Sequence, residues 1–157
     1  MKEAITSTDT VFQVLAHEHR DLEARFAALF ERALVDIEGT RLEYPELAAA
    51  ILAHLHAEGG VLFPALGRIA ALAPILDGSR ADHARIEAAA LELDRPNLTT
   101  SEWLRALKRL HADVVHLIER EESHVYPAAR RALPLGEAHD LAHAVRRAEE
   151  HELSRTR

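Results

Sequence analysis

Four polar residues stand where a helical core would take leucine or isoleucine: His19, His54, Glu58 and His83. Each falls in a series of apolar residues recurring at three and four. The series are Leu15, His19, Leu22, Phe26, Leu29; Leu47, Ile51, His54, Glu58, Val61; and Leu76, Ser79, His83, Ile86, Ala90, Leu93. A carboxylate carried into a core costs several kcal/mol unless it is paired or bound to metal. One such histidine is ordinarily a core histidine with a satisfied hydrogen bond. Several of them, on three facing segments, point instead to one shared cation site. His54 and Glu58 lie four apart, so on a helix they share a face and reach one metal together. The chain has no cysteine, which removes disulfides, thiolate metal sites and thiol catalysis.

The candidates recur. Glu18-His19-Arg20-Asp21-Leu22 is echoed 64 residues later by Asp82-His83-Ala84-Arg85-Ile86. The segment from Glu58 to Pro64 is echoed 63 residues later by the segment from Glu121 to Pro127. Each copy holds an acid–histidine pair, then a glutamate six residues before a proline. Two copies of one helical hairpin about a pseudo-two-fold axis would bring two histidine-plus-glutamate sets face to face, as in a symmetric binuclear site.

The elements that must position these residues are legible because glycine and proline are few and clustered. The breaks fall near Gly39-Thr40, from Pro64 to Pro74, at Asp77-Gly78, at Arg95-Pro96-Asn97 and at Pro134-Leu135-Gly136. The spacing predicts a first helix from about Asp9 to Ile37, capped by Ser7, Thr8 or Asp9. A second starts at Pro45, a good first-turn residue. A third covers about Ile75 to Leu93. A fourth opens with the capping-box pattern Thr99-x-x-Glu102 and runs to about Leu133. A shorter amphipathic helix spans Gly136 to about Leu153. Four long helices with short connections predict an all-α, antiparallel up-down-up-down four-helix bundle over residues 9–133. Residues 134–157 then form a short fifth C-terminal helix, packing on the bundle or extending from it.

At 157 residues the chain suits one domain with a real core. A formal net charge of −7 and the lack of a basic run argue against a nucleic-acid partner. The first fifteen residues lack the pattern of a signal peptide, and no apolar run approaches the roughly 20 residues that span a bilayer. The expectation is a cytoplasmic protein with no membrane partner, monomeric or homodimeric. Eleven histidines against one tryptophan and two tyrosines is the unusual feature of the composition.

The order of lone His, His-x-x-x-Glu, lone His, then His followed by an acid resembles the hemerythrin-like, histidine-histidine-glutamate cation-binding family. The matching residues are His19; His54 with Glu58; His83; and His116 with Glu121. The resemblance covers about residues 11 to 130. It implies a non-haem centre of two iron ions, oxo- or hydroxo-bridged, with manganese or zinc as substitutes. In that centre Glu58 and Glu121 bridge the metals, and His19, His54, His83 and His116 are terminal ligands. Imidazole with bridging carboxylate suits iron or manganese. Open positions would take dioxygen, nitric oxide or peroxide, for sensing, storage or detoxification. Binding and enzymatic breakdown of such ligands need the same open positions, so the sequence does not separate them.

The second half departs from the four-residue spacing. His116 stands five before Glu121, about 140° round a straight helix, and a π-bulge would be needed to bring the two together. His124 and His111 compete with His116. The third helix has Ser79 where hemerythrins proper resemble a second histidine, so a more symmetric site than the oxygen carriers' is expected. Glu87 reads as an exposed salt-bridge residue rather than an extra ligand. His17 and His56 read as solvated or supporting residues, and His139-x-x-x-His143 as a surface pair. Gly59-Gly60, costly inside a helix by about 1 kcal/mol each, either admits a close approach to the metals or accommodates packing. A metal-free alternative, a histidine-phosphorelay or other helical interaction bundle, needs an exposed histidine, which the apolar setting of His19 and His83 disfavours. A ferritin-like oxidase needs two Glu-x-x-His motifs, and only Glu121-x-x-His124 is present.

Overall fold

A computed structural model describes residues 9–155 as five helices, with no strand among the described residues. Helix α1 is Val11–Ala33 and α2 is Ile37–Gly67, the latter passing through a π-helical turn at Glu58–Leu62. Helix α3 is Ala73–Glu92. Helix α4 covers residues 100–132 and has its own π turn at Glu121–Val125. Helix α5 is Leu135–Arg155, and at 21 residues it is longer than the 20-residue α3 rather than the short helix expected, because its Ala138, Ala142 and Val145 are buried against the bundle.

The starts follow from capping. Thr10 precedes α1, and its backbone N–H donates to the Gln13 side chain at 2.8 Å. This places the cap one residue beyond Asp9; Ser7 and Thr8 lie outside the described residues. Thr99 and Glu102 form the expected capping box on α4, the Thr99 N–H donating to Glu102 at 2.8 Å. The α1–α2 boundary differs from expectation. Helix α1 ends at Ala33, and Asp36 accepts from the Gly39 N–H at 2.8 Å, so α2 begins eight residues ahead of Pro45. Pro45 therefore sits inside α2 and forgoes one backbone hydrogen bond. The aspartate cap and the packing of Tyr44 and Leu47 outweigh the proline signal.

Helix α1 packs on α2, α2 on α3, α3 on α4, and α4 meets α1; α5 lies along α1 and α2. By length and mean hydropathy α2 is apolar enough to cross a membrane, which the reading of apolar runs did not anticipate. It passes that test as a core helix: over half of its apolar stretch is buried and it touches three other helices.

The core comes in two blocks. One gathers Phe26, Tyr44, Ile51, Ile86, Trp103 and Leu110 with their neighbours. The other gathers Phe12, Leu15, Leu62, Phe63, Leu76 and Tyr126 with theirs, and takes Ala138, Ala142 and Val145 from α5. Each large side chain so buried contributes roughly 1.5–3 kcal/mol. Between the blocks, at one level on the first four helices, lie His19, His54, Glu58, Ser79, Asp82, His83 and Glu121. A polar layer clamped between two apolar blocks holds its side chains to few rotamers.

Candidate metal centre

Each of the first four helices sends at least one donor into this layer. His19, His54 and Glu121 bring ligand atoms to within 4.8 Å of one another, and so do Glu58, His83 and Glu121; the two groups share Glu121. The His83 Nε2 lies 3.2 Å from Glu58 Oε2 and 3.3 Å from Glu121 Oε1. The His19 Nε2 lies 3.3 Å from Glu121 Oε2, and the His54 Nε2 lies 3.7 Å from Glu58 Oε2. Outer carboxylates set two of the rings. The His54 Nδ1 is 2.9 Å from Glu18, and the His19 Nδ1 is 2.8 Å from Glu122. A carboxylate behind an imidazole fixes its tautomer and turns the other nitrogen inward. Tyr126 completes the layer, donating to Glu58 at 2.7 Å and standing 3.4 Å from both Glu121 Oε2 and His19 Nε2.

This donor set fits a cation. The His54 Nε2 and Glu58 Oε2 are fully buried with no hydrogen-bond partner, a costly state for polar atoms that a metal relieves. The electrostatics agree. Burial alone would lower the His54 pKa, but the Glu18 hydrogen bond and the charges of Glu58, Glu18 and Glu121 outweigh it and raise the value to about 9. For His83, burial is again outweighed, here by the Glu121 hydrogen bond and the close charges of Glu58 and Glu121, and the value also rises to about 9. Burial would raise Glu121, yet His19 and His83 hold it down at about 2. Burial, then the charges of Glu58 and Glu121, push the Tyr126 phenol well above its ordinary value. The carboxylates thus draw positive charge into the layer, as protons or as metal ions.

The sequence matches the Hemerythrin HHE cation binding domain over residues 10–129. The chain belongs to the hemerythrin HHE cation-binding family. No curated protein and no solved structure matches it. The match ends before α5, so that helix lies outside the HHE domain proper. The family's activity is cation binding, and the His and Glu groups of the polar layer are where this HHE chain could hold one.

Five of the six residues matched to the family pattern converge in this layer: His19, His54, Glu58, His83 and Glu121. His116 does not. It is exposed, its Nε2 3.2 Å from the Arg120 guanidinium, and it lines an open surface cleft with His124. A π turn is present on α4, as the five-residue spacing required, but it begins at Glu121. The stretch from His116 to Glu121 stays α-helical, and the two side chains stay about 140° apart. His111 packs on Phe26 and Phe30 in the apolar block.

The repeat is consequently uneven. Leu117, four before Glu121, is the mate of His54 and is buried core. Asp82, the mate of Glu18, has no histidine to orient and instead accepts from Arg120 at 2.8 Å and Arg85 at 2.9 Å. Phe63, the mate of Tyr126, packs on His83 without a hydroxyl. Glu87 and His56 pair with each other at 3.2 Å, and His56 also meets Glu152 of α5. His17 lines a small cavity beside Glu18 and His54. No metal-holding group among the described residues includes His139 or His143. Sequence reasoning named Glu18 only as half of an acid–histidine pair, and missed its hold on His54 together with Tyr126, Glu122 and Arg120. The signal for the two acids was present, since each adjoins a matched residue.

Proposed function

We propose that this chain binds two iron ions in the polar layer and takes a small ligand there, dioxygen, nitric oxide or peroxide. The observation that carries the reading is the shared carboxylate: Glu121 belongs to both donor groups, and Glu58 faces both His54 and His83. A carboxylate common to two cation positions belongs to a binuclear centre. Imidazole and carboxylate donors without thiolate favour iron or manganese. The first four helices are inferred to run up-down-up-down and antiparallel, because consecutive helices are neighbours across short connections.

The residues divide the work. His19, His54 and Glu121 would hold one ion; His83, Glu58 and Glu121 would hold the other. Glu18 and Glu122 keep two imidazoles turned inward, and the two apolar blocks exclude bulk water. The Tyr126 phenol stays protonated and donates to Glu58. An iron pair, when bound, supplies redox equivalents and exchangeable positions for the small ligand. Three histidines and two carboxylates are too few donors to saturate two irons, which leaves such positions. The test is metal analysis after anaerobic reconstitution with ferrous iron, where about two ions per chain are expected. Less than about half an ion per chain overturns the proposal.

A further inference from the structure

Three histidines face the centre, but only two are held from behind. His54 has Glu18 at 2.9 Å and His19 has Glu122 at 2.8 Å. Among the described residues no side chain or backbone group hydrogen-bonds the Nδ1 of His83, whose polar contacts all run through Nε2. The internal repeat gives the reason. Glu122 follows Glu121 on the α4 π turn; the residue that follows Glu58 on the α2 π turn is Gly59. Where one half of the molecule places a carboxylate behind its histidine, the other half places a hydrogen atom.

The space left is open. Gly59 is exposed, and a Cβ built on it would stand 3.7 Å from the His83 Nδ1, its sole neighbour within 4 Å. The His83 side chain is 11 % exposed, against 1 % for His19 and 2 % for His54. Directly inward lies the Glu58 Oε2, completely buried and without a hydrogen-bond partner, 3.2 Å from the His83 Nε2. An unbraced imidazole therefore lies between solvent and an unsatisfied carboxylate oxygen. A glycine at 59 inside a helix is otherwise unfavourable, and no close packing contact demands it.

We propose that small ligands reach the centre past the Nδ1 face of His83, through the space that Gly59 leaves open, and that Gly59 sets the width of this inlet. The proposal rests on the metal-centre reading, and it concerns the route rather than the metals. His83 is the movable member of the ligand set, and His19 and His54 are the braced ones.

The test compares Gly59→Ala and Gly59→Val with Gly60→Ala. A Cβ at Gly60 meets nothing within 4 Å, so that substitution reproduces the backbone change without touching His83. Iron-loaded protein is mixed with azide in a stopped-flow spectrometer, and metal content is measured for every sample. Gly59→Ala should slow azide binding and Gly59→Val should slow it at least about tenfold, with equal amplitude at saturation. Gly60→Ala should stay near wild type. A second arm needs no metal: chelated protein is treated with diethyl pyrocarbonate and mapped by mass spectrometry. His83 should be modified faster than His19 or His54, and Gly59→Val should abolish the difference. If wild type loads no iron, the binuclear reading fails while the labelling arm still decides the route. Unchanged azide rates in metal-replete Gly59→Val, or His83 labelling no faster than His19, overturns the inlet.

Discussion

His54 and His116 each precede a matched glutamate on a helix, by four residues and by five, and one residue of spacing separates the buried histidine from the exposed one. Four residues return the chain to the same face; five do not. His54→Ala and Glu121→Ala are therefore expected to lose most of the bound metal, and His116→Ala and His56→Ala to keep it, by metal analysis of purified variants. Loss of metal from His116→Ala would show that the α4 register is wrong. Glu18→Ala and Glu122→Ala remove the carboxylates behind His54 and His19 and should weaken metal binding roughly 10- to 100-fold. Titration belongs to this scale as well. His54 and His83 are raised from 6.5 to about 9, so their contribution to the metal-free fold is full below about pH 6.5 and is lost as pH rises through about 9. Glu121 is lowered from 4.5 to about 2, so its contribution is full above about pH 4.5 and lost as pH falls toward about 2. Metal-free protein should melt lower at alkaline pH than near pH 6. Metal affinity should move the opposite way, because protons compete for the same imidazoles. Melts and metal titrations across this range check both signs.

At the scale of elements, caps and π turns place the donors. Asp36 starts α2 early, and without it the Gly39 N–H loses its partner. Asp36→Ala should destabilise the protein by about 1 kcal/mol, read as a lower denaturation midpoint with unchanged metal content, since the site lies far along α2. The two π turns fall at matched places, each beginning at a buried glutamate and ending just before an aromatic residue and a proline. Each extra residue in the turn shifts the following helix face, which lets Glu58 and Glu121 point inward while Phe63 and Tyr126 still reach the core. The histidine series were legible from periodicity because α1, α2 and α3 are regular up to their donors. The boundary near Pro45 was not, because a proline signal and an aspartate cap competed and tertiary packing chose the cap.

For the whole molecule, the polar layer between two apolar blocks ties stability to cation binding. Stripped of metal, the layer holds the buried carboxylates of Glu58, Asp82 and Glu121 and an unpartnered imidazole nitrogen against low-dielectric walls. Chelation should lower the melting temperature by several degrees, and added ferrous iron should restore it. An unchanged melt after verified metal removal would count against a core site. Reduced, iron-loaded protein exposed to air should develop near-ultraviolet absorption without reverting when oxygen is stripped. Clean reversal would indicate carriage instead.

What the sequence determined by itself was the family, the all-helical class and the inward placement of His19, His54, Glu58 and His83. The class and the inward placement follow from local periodicity, because a helix face is set by spacing alone; the family rests on the ordered His and Glu motifs, and the repeat then pointed to Glu121. The tertiary structure decided what spacing along one helix cannot: which groups on different helices share a space. It placed His116 on the surface with Arg120, Leu117 in the core opposite His54, and Tyr126 against both carboxylates. It showed the two halves to be unequal, one histidine left unbraced where Gly59 stands for Glu122. The physical reason is that a ligand's neighbours from behind, and the width of the path to it, are set by how helices pack, and packing is a sum over contacts distant in the chain.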